Sequence, residues 1–272
     1  MDAYIVSHNG LGDNLFMIGG LNFIKNFYRN IYFLCKKCYY KNVILFFEAD
    51  SNIKCIPFND RKEKETIKKI LKEKYEDINN DIFICGFVHR KYLKSRINNR
   101  KFLDAKRLTK KYDIRFDTIT KKGYWFIENF YKNMKLNLAY FYEYFKLPES
   151  EESKKLYEMV KDYYILFIQY KSSNNKKLNI SNLIEKYLND EKTLLICNDF
   201  NLYSKENKKY TIAQKFVLNN IIYYLDVIKN SDEIYIIDSC FTGIVLPLLK
   251  TNKLKAKVVR IILRNLSEKF KL

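Results

Sequence analysis

The chain has 272 residues, of which 47% are hydrophobic and 16% aromatic, which is enough for one large or two modest packed domains and too much for a disordered protein. Its 50 Lys and Arg residues against 31 Asp and Glu give a formal net charge of +19, which attracts anionic partners. No apolar run reaches the roughly 18 residues needed to cross a bilayer, and the first three residues lack the basic start of a signal peptide, so we expect a cytoplasmic protein.

Strand-like and helix-like segments alternate through the first half of the chain. Such alternation predicts a parallel sheet with helices on both of its faces. The apolar patterns predict strands at 3–8, 31–36, 53–58 and 81–87, and helices at 14–29, 39–48, 61–76, 123–134 and 138–146.

A proline followed by polar residues predicts a domain boundary, because helices usually end before proline. Pro148 is that residue, and the alternation of strands and helices starts again after it. We therefore predict two Rossmann-like domains, 1–148 and 149–272, that face each other across a cleft. In the second domain the patterns predict strands at 163–170, 193–199, 233–238 and 257–263, and helices at 150–162, 180–190, 214–231 and 241–252.

Polar loops follow the predicted strands at their carboxyl ends, where ligands bind in sheets of this kind. Asp199, after the second strand of the second domain, is expected either to contact a ribose or to cap a loop. The loops are 8–14 after the first strand, His89-Arg90 after the fourth, 171–177 and 198–200 after the next two, and 238–243 near the end.

The loop after the first strand contains an unusual share of glycine: four of the seven glycines lie within eleven positions. Gly10 and Gly12 admit backbone conformations and close approaches that a Cβ atom prevents. A helix that starts near Asn14 would point free amides at a ligand. Asp13 would then either cap that helix or direct its carboxylate at the ligand. Gly19-Gly20, inside the helix, are expected to pack against the sheet.

The first loop matches neither of the two common phosphate-binding fingerprints. The dinucleotide motif G-x-G-x-x-G would need its third glycine at Leu15, and a P-loop needs Gly-Lys-Ser/Thr. Instead, "GLGDNL" together with "DSCFTGIVLPLL" resembles the GT-B glycosyltransferases, in particular their heptosyltransferase-like and fucosyltransferase-like branches. Those families have a Gly-x-Gly-Asp/Asn loop after the first strand and an Asp-Ser/Thr-small motif that opens a late helix.

The resemblance implies a role for each matching residue. Asp13 would be the general base that deprotonates an acceptor hydroxyl. Asp238-Ser239-Cys240 would lie against the donor diphosphate, although Cys240 stands where Gly or Ser is usual. The implied donor and phosphate residues are Lys171, Ser172, Ser173, Lys176, Asp238, Ser239, Cys240 and Phe241, and the implied acceptor or cleft residues are Asn9, Gly10, Gly12, Asn14, His89 and Arg90.

The resemblance also implies chemistry without a metal or a bound cofactor, since GT-B enzymes use helix dipoles and cationic side chains instead. The chain contains no Asp-x-Asp triplet. The "CKKC" sequence at 35–38 has zinc or redox spacing, but no second pair follows it and the chain has only two histidines. Most of the cysteines, namely Cys35, Cys55, Cys85 and Cys197, lie in apolar runs, and we predict that they are core residues.

The expected function is transfer of a sugar from a nucleotide diphosphate sugar to a hydroxyl of a glycan or glycoconjugate, with inversion at the anomeric carbon. The high charge leaves peripheral contact with an anionic surface open, although scattered lysines also fit a biased composition. Two alternatives remain. A basic nucleic-acid-binding protein without catalysis would use residues 90–112, and a nucleotide-sugar epimerase would act without an acceptor.

Overall fold

The computed structural model describes residues 1–7, 10–60, 62–76, 80–86 and 125–262. The chain divides into two compact units, Met1–Pro148 (unit 1) and Glu149–Leu272 (unit 2). No helix in these described ranges is both long and apolar enough to cross a membrane.

Unit 1 is built on a sheet whose four described strands are all parallel, in the order β3-β2-β1-β4. This order places β1 in the middle, with β2 and β4 on either side. The strands are β1 (Asp2–Val6), β2 (Asn30–Lys36), β3 (Ile53–Phe58) and β4 (Asn80–Ile84). The helices are α1 (Leu11–Phe16), α2 (Ile18–Ile24), α3 (Tyr40–Val43), α4 (Glu63–Glu76), α5 (Trp125–Asn133) and α6 (Ala139–Glu143).

The central strand β1 and its neighbour β4 are buried along their whole length, whereas β3 exposes Lys54 and Pro57. All five residues of β1 are buried, as are all five of β4. Strands of parallel sheets have this pattern because helices cover both faces. On one face Ile67 of α4 packs into a cluster with Val6, Leu34 and Phe58.

The predicted helix 14–29 is wrong in its start and in its continuity. The helix starts three residues earlier, at Leu11, and α1 ends at Phe16. After Met17 the chain continues as α2, which ends at Ile24 and is followed by a short 3-10 turn. The apolar residues continue through Met17 without a gap, so the helical period of the sequence gives no sign of the break between α1 and α2.

The predicted packing of Gly19 and Gly20 against the sheet is also wrong. These glycines lie on α2 against the α5–α6 region. A Cβ atom on Gly19 would be 2.2 Å from the Tyr140 carbonyl oxygen, and one on Gly20 would be 2.6 Å from Met134 Cε. The glycines therefore allow two helical segments to approach closely. In addition, the Gly20 N–H donates to the Tyr131 hydroxyl at 3.0 Å.

Unit 2 repeats the same plan, with four described parallel strands in the order β6-β5-β7-β8. Its strands are β5 (Tyr164–Gln169), β6 (Thr193–Cys197), β7 (Glu233–Ile237) and β8 (Val258–Ile262). Its helices are α7 (Glu151–Glu158), α8 (Ser181–Tyr187), α9 (Tyr210–Gln214), α10 (Leu225–Asn230) and α11 (Thr242–Lys250).

The predicted helix 214–231 does not exist as one element. α9 ends at Gln214, and helical structure resumes only at a 3-10 turn before α10. In the gap, Leu218 takes a left-handed backbone conformation, with φ of 59°, and its N–H donates to the Asn198 carbonyl at 2.9 Å. The Tyr224 hydroxyl donates to the Phe216 carbonyl and accepts from the Asn219 N–H. Contacts with Asn198, which follows β6, and with Tyr224, which precedes α10, therefore replace helical hydrogen bonds here.

The amino end of β7 carries a buried carboxylate that accepts hydrogen bonds from tyrosines. Glu233 is 6% exposed, and its Oε1 accepts from the hydroxyls of Tyr164 at 2.9 Å and Tyr187 at 3.0 Å. Its Oε2 accepts from the Tyr235 hydroxyl at 2.5 Å. Burial, followed by the hydrogen bond to Glu233, raises the pKa of Tyr164 to about 12. The carboxylate therefore joins β5, α8 and β7.

We expect Glu233→Gln to lower the free energy of unfolding by about 1–3 kcal/mol, because the new NH₂ group cannot accept a tyrosine hydroxyl proton. Urea unfolding at pH 7 measures this loss. Glu191→Gln, which removes a charge from an exposed ion pair with Lys208, is the control and should cost less than about 0.5 kcal/mol. Equal losses in the two variants would contradict the assignment.

Candidate functional site

Asp13 lies in the first turn of α1, after the carboxyl end of β1. The helix cap is Gly10, and Asp13 is the third helical residue, so its predicted position at the cap itself is wrong. Its Oδ2 accepts a hydrogen bond from the Gly10 N–H at 2.6 Å. This is the carboxylate half of a capping box. The bond orients the carboxylate at the edge of the sheet where ligands bind in folds of this kind.

Gly10 is required by space rather than by backbone conformation. Its φ of −100° and ψ of 160° are open to any residue. A Cβ atom at this position would, however, be 3.0 Å from Asp13 Oδ2. The glycine therefore lets the chain pass close to the Asp13 carboxylate. Of the two roles expected for glycine here, close approach applies to Gly10.

Asn14, which the sequence assigns to the acceptor side or cleft, has its side chain inside unit 1. It is only 1% exposed, and its Nδ2 donates to the Gly10 carbonyl at 2.8 Å. The contact holds the carbonyl of the same residue whose N–H binds Asp13. The other predicted acceptor residues, Asn9, His89 and Arg90, lie outside the described residues.

The "CKKC" sequence lies at the carboxyl end of β2. Burial raises the pKa of the Cys35 thiol to about 12. Cys38 is exposed, and both its N–H and its thiol donate to the Asp60 carboxylate. Within the described ranges, no group of three or more His, Cys, Asp or Glu residues is close enough to hold a metal ion.

In unit 2, the loop after β7 is folded around Thr242, the first residue of α11. The Thr242 hydroxyl accepts from the Ser239 N–H at 3.2 Å and lies 3.4 Å from Asp238 Oδ1, to which it donates. The Ser239 hydroxyl donates to Gln169 Oε1 at the end of β5. All four side chains are buried. The sequence did not indicate Gln169 or Thr242, although a polar residue ending the apolar strand β5 is a signal that could have indicated the former.

Phe241, predicted to bind phosphate, has its side chain in the core of unit 2. Its ring centroid is 5.1 Å from that of Phe167 and 5.3 Å from that of Tyr224. Only its backbone amide can therefore contact a ligand, and the prediction is wrong for the side chain. The neighbouring Cys240 is partly exposed, and burial raises the pKa of its thiol to about 11. At neutral pH this thiol is therefore uncharged and does not repel a phosphate.

The loop after β5 is a tight turn closed by Ser172. The Ser172 N–H and hydroxyl both donate to the Lys176 carbonyl, and the hydroxyl also lies 2.5 Å from Asn174 Oδ1. Ser172 is therefore buried within its own turn. The side chains of Lys171, Ser173 and Lys176 are exposed.

Asp199 connects the loops after β5 and β6. Its Oδ2 accepts from the N–H groups of Tyr170 and Lys171, each at 3.0 Å. Burial raises the pKa of Asp199, and these two hydrogen bonds oppose that shift. Of the two roles expected from the sequence, the structure shows the loop cap.

Comparisons with known proteins give similarity in structure only. No protein-family model and no curated protein sequence matches the chain. Among solved structures, Escherichia coli ADP-heptose LPS heptosyltransferase II matches with a TM-score of 0.54 and 11% identity over 96% of this chain and 90% of its own. A glycosyl transferase family 9 protein from Veillonella parvula matches with a TM-score of 0.53 and 9% identity over 90% and 77% of the two chains.

The chain has a GT-B fold. This confirms the fold class and the resemblance predicted from the sequence. Identities of 9–11% establish the architecture, while the reaction depends on the side chains at the strand ends. In this chain Asp13 follows β1 and Ser239 follows β7.

Proposed function

We propose that the chain is a glycosyltransferase that moves a sugar from a nucleotide diphosphate sugar to a hydroxyl of a glycan or glycoconjugate. The observation that carries the proposal is an oriented carboxylate, Asp13, after β1 in a fold shared with an ADP-heptose heptosyltransferase. A loop of amides and hydroxyls after β7 supports it.

In this proposal unit 2 holds the donor. The nine-residue helix α11 starts at Thr242, and its first three N–H groups donate to the carbonyls of Ser239, Cys240 and Phe241. The positive end of the helix dipole stabilises the negative charge of a diphosphate, and exposed Lys171 and Lys176 add positive charge nearby in the same unit. The Ser239 hydroxyl donates its one proton to Gln169 Oε1, and this bond fixes the loop after β7 against the end of β5.

Unit 1 supplies the base. Asp13 takes the proton of the acceptor hydroxyl while that oxygen forms a bond to the anomeric carbon of the sugar. The bond between that carbon and the diphosphate oxygen breaks at the same time, and the nucleotide diphosphate leaves with the electron pair. A single displacement of this kind inverts the anomeric configuration.

No metal is part of the proposed mechanism, because lysines and the helix dipole neutralise the leaving group. Sugar transfer should therefore be unchanged by excess EDTA. A loss of turnover in EDTA that Mg²⁺ or Mn²⁺ restores would contradict this part of the proposal.

Nucleotide binding tests the function directly. One of UDP, GDP, ADP and CMP, or a sugar derivative of one, should raise the melting temperature, since a ligand at 100 times its Kd stabilises by about 2.7 kcal/mol. Ser239→Ala should weaken binding of that nucleotide about tenfold, because it removes the hydrogen bond to Gln169 that fixes the loop after β7. Thr251→Ala, which removes a hydroxyl bonded to the Pro247 carbonyl at the other end of α11, is the control and should bind normally. The proposal fails if no nucleotide stabilises the protein.

A further inference from the structure

Both backbone polar groups of Gly10, its N–H and its carbonyl, are held by the two residues that follow Gly12. On one side, the Gly10 N–H donates to Asp13 Oδ2 at 2.6 Å. On the other side, the Gly10 carbonyl accepts from Asn14 Nδ2 at 2.8 Å and from the Asn14 N–H at 3.3 Å. The Asn14 side chain therefore restrains the residue whose N–H orients the Asp13 carboxylate.

Asn14 performs this role from the interior of unit 1. It is 1% exposed, so it is closed to a substrate in the described structure. Its Oδ1 is buried and has no hydrogen-bond partner there, which costs about 1–3 kcal/mol. An apolar residue at this position would avoid that cost. Unlike an apolar residue, Asn14 provides a second hydrogen-bond donor to the Gly10 carbonyl, in addition to its own N–H.

We propose that Asn14 is a positioning residue for the general base. It contacts neither donor nor acceptor. It acts by holding the Gly10 carbonyl, which restrains the backbone of the residue whose N–H binds the Asp13 carboxylate. This inference rests on the proposed function, in which Asp13 takes the proton of the acceptor. It replaces the assignment of Asn14 to the acceptor or cleft.

A shift in the base affects the chemical step more than substrate binding, and misplacement by about 1 Å can cost about 100-fold in rate. We therefore expect Asn14→Ala to lower kcat by about 10- to 100-fold with the KM of donor and acceptor changed less than about twofold. Loss of the Asn14 Nδ2 donor should also make the Gly10 backbone more mobile. Amide hydrogen exchange at Gly10, measured by NMR, should therefore become at least about tenfold faster.

Two further variants complete the experiment. Asn14→Asp keeps the shape of the side chain but replaces the donor with an acceptor at neutral pH. It should therefore also lower kcat, leave KM nearly unchanged and speed amide exchange at Gly10, even if Asn14→Ala folds poorly. Asn22→Ala is the matched control. It removes an amide that donates to the carbonyls of Tyr144 at 3.0 Å and Lys146 at 2.8 Å, and it should leave both kcat and Gly10 exchange unchanged.

Each outcome decides the inference. Unchanged Gly10 exchange in the Asn14 variants would overturn the contact, and faster exchange with unchanged kcat would overturn the positioning role. A raised KM with unchanged kcat would instead assign Asn14 to substrate binding. Failure of the proposed function appears separately, as a wild-type protein that turns over no nucleotide sugar, and Gly10 exchange still reports on the contact in that case.

Discussion

Replacing Asp13 with asparagine is expected to lower kcat for sugar transfer by about 10²- to 10⁴-fold, the usual contribution of a general base. The asparagine carbonyl can still accept from the Gly10 N–H, so the start of α1 is preserved while the basic group is lost. Nucleotide binding should change less than about twofold, because the proposed donor site is in unit 2. Single-turnover kinetics and calorimetry measure the two effects.

Asp60→Asn is the matched control for this variant. Asp60 follows β3 in the same unit and accepts from the N–H and thiol of Cys38. It has no role in the proposed reaction, so its replacement should leave kcat unchanged. Full activity of Asp13→Asn would show that Asp13 is not the base, and equal losses in both variants would point to a general effect on unit 1.

Gly19→Ala is expected to lower the free energy of unfolding by about 3 kcal/mol, at the upper end of the range for overpacked cores. Its Cβ would be 2.2 Å from the Tyr140 carbonyl oxygen and 2.8 Å from Phe141 Cα, so backbone would have to move. The gain in helix propensity of about 1 kcal/mol does not offset this clash.

Gly20→Ala provides the comparison on the same helix. Its Cβ would be 2.6 Å from Met134 Cε, the end of a flexible side chain that can rotate away. We expect this variant to lose less than about 1 kcal/mol, because the propensity gain is the same at both positions. Urea unfolding of the two variants measures the difference. Equal losses would contradict the close approach of α2 and α6.

The strands could be predicted from the sequence because parallel strands covered on both faces are continuous apolar runs. The predicted strand 53–58 coincides with β3, and β1 and β5 differ from their predictions only at the ends. The helices were harder to predict. The break in 214–231 is imposed by the Asn198 carbonyl and the Tyr224 hydroxyl, and these contacts have no local signal in the sequence.

The loops of the candidate site could be found because a parallel sheet places its ligand-binding loops at the carboxyl ends of strands. Their internal contacts could not be found in this way. Ser239 and Gln169 are 70 residues apart, and the parallel pairing of β5 with β7 brings them together. Asn14 reads as an ordinary polar loop residue until its burial and its contact with Gly10 are known.

Phe241 anchors the loop after β7 in the hydrophobic core of unit 2. Its ring packs between Phe167 on β5 and Tyr224 before α10, and this packing fixes the position of the backbone on either side of it. The loop that we propose to bind the donor diphosphate is therefore positioned by core packing in unit 2. Evolution of a different donor preference would be constrained by apolar positions that never meet the donor.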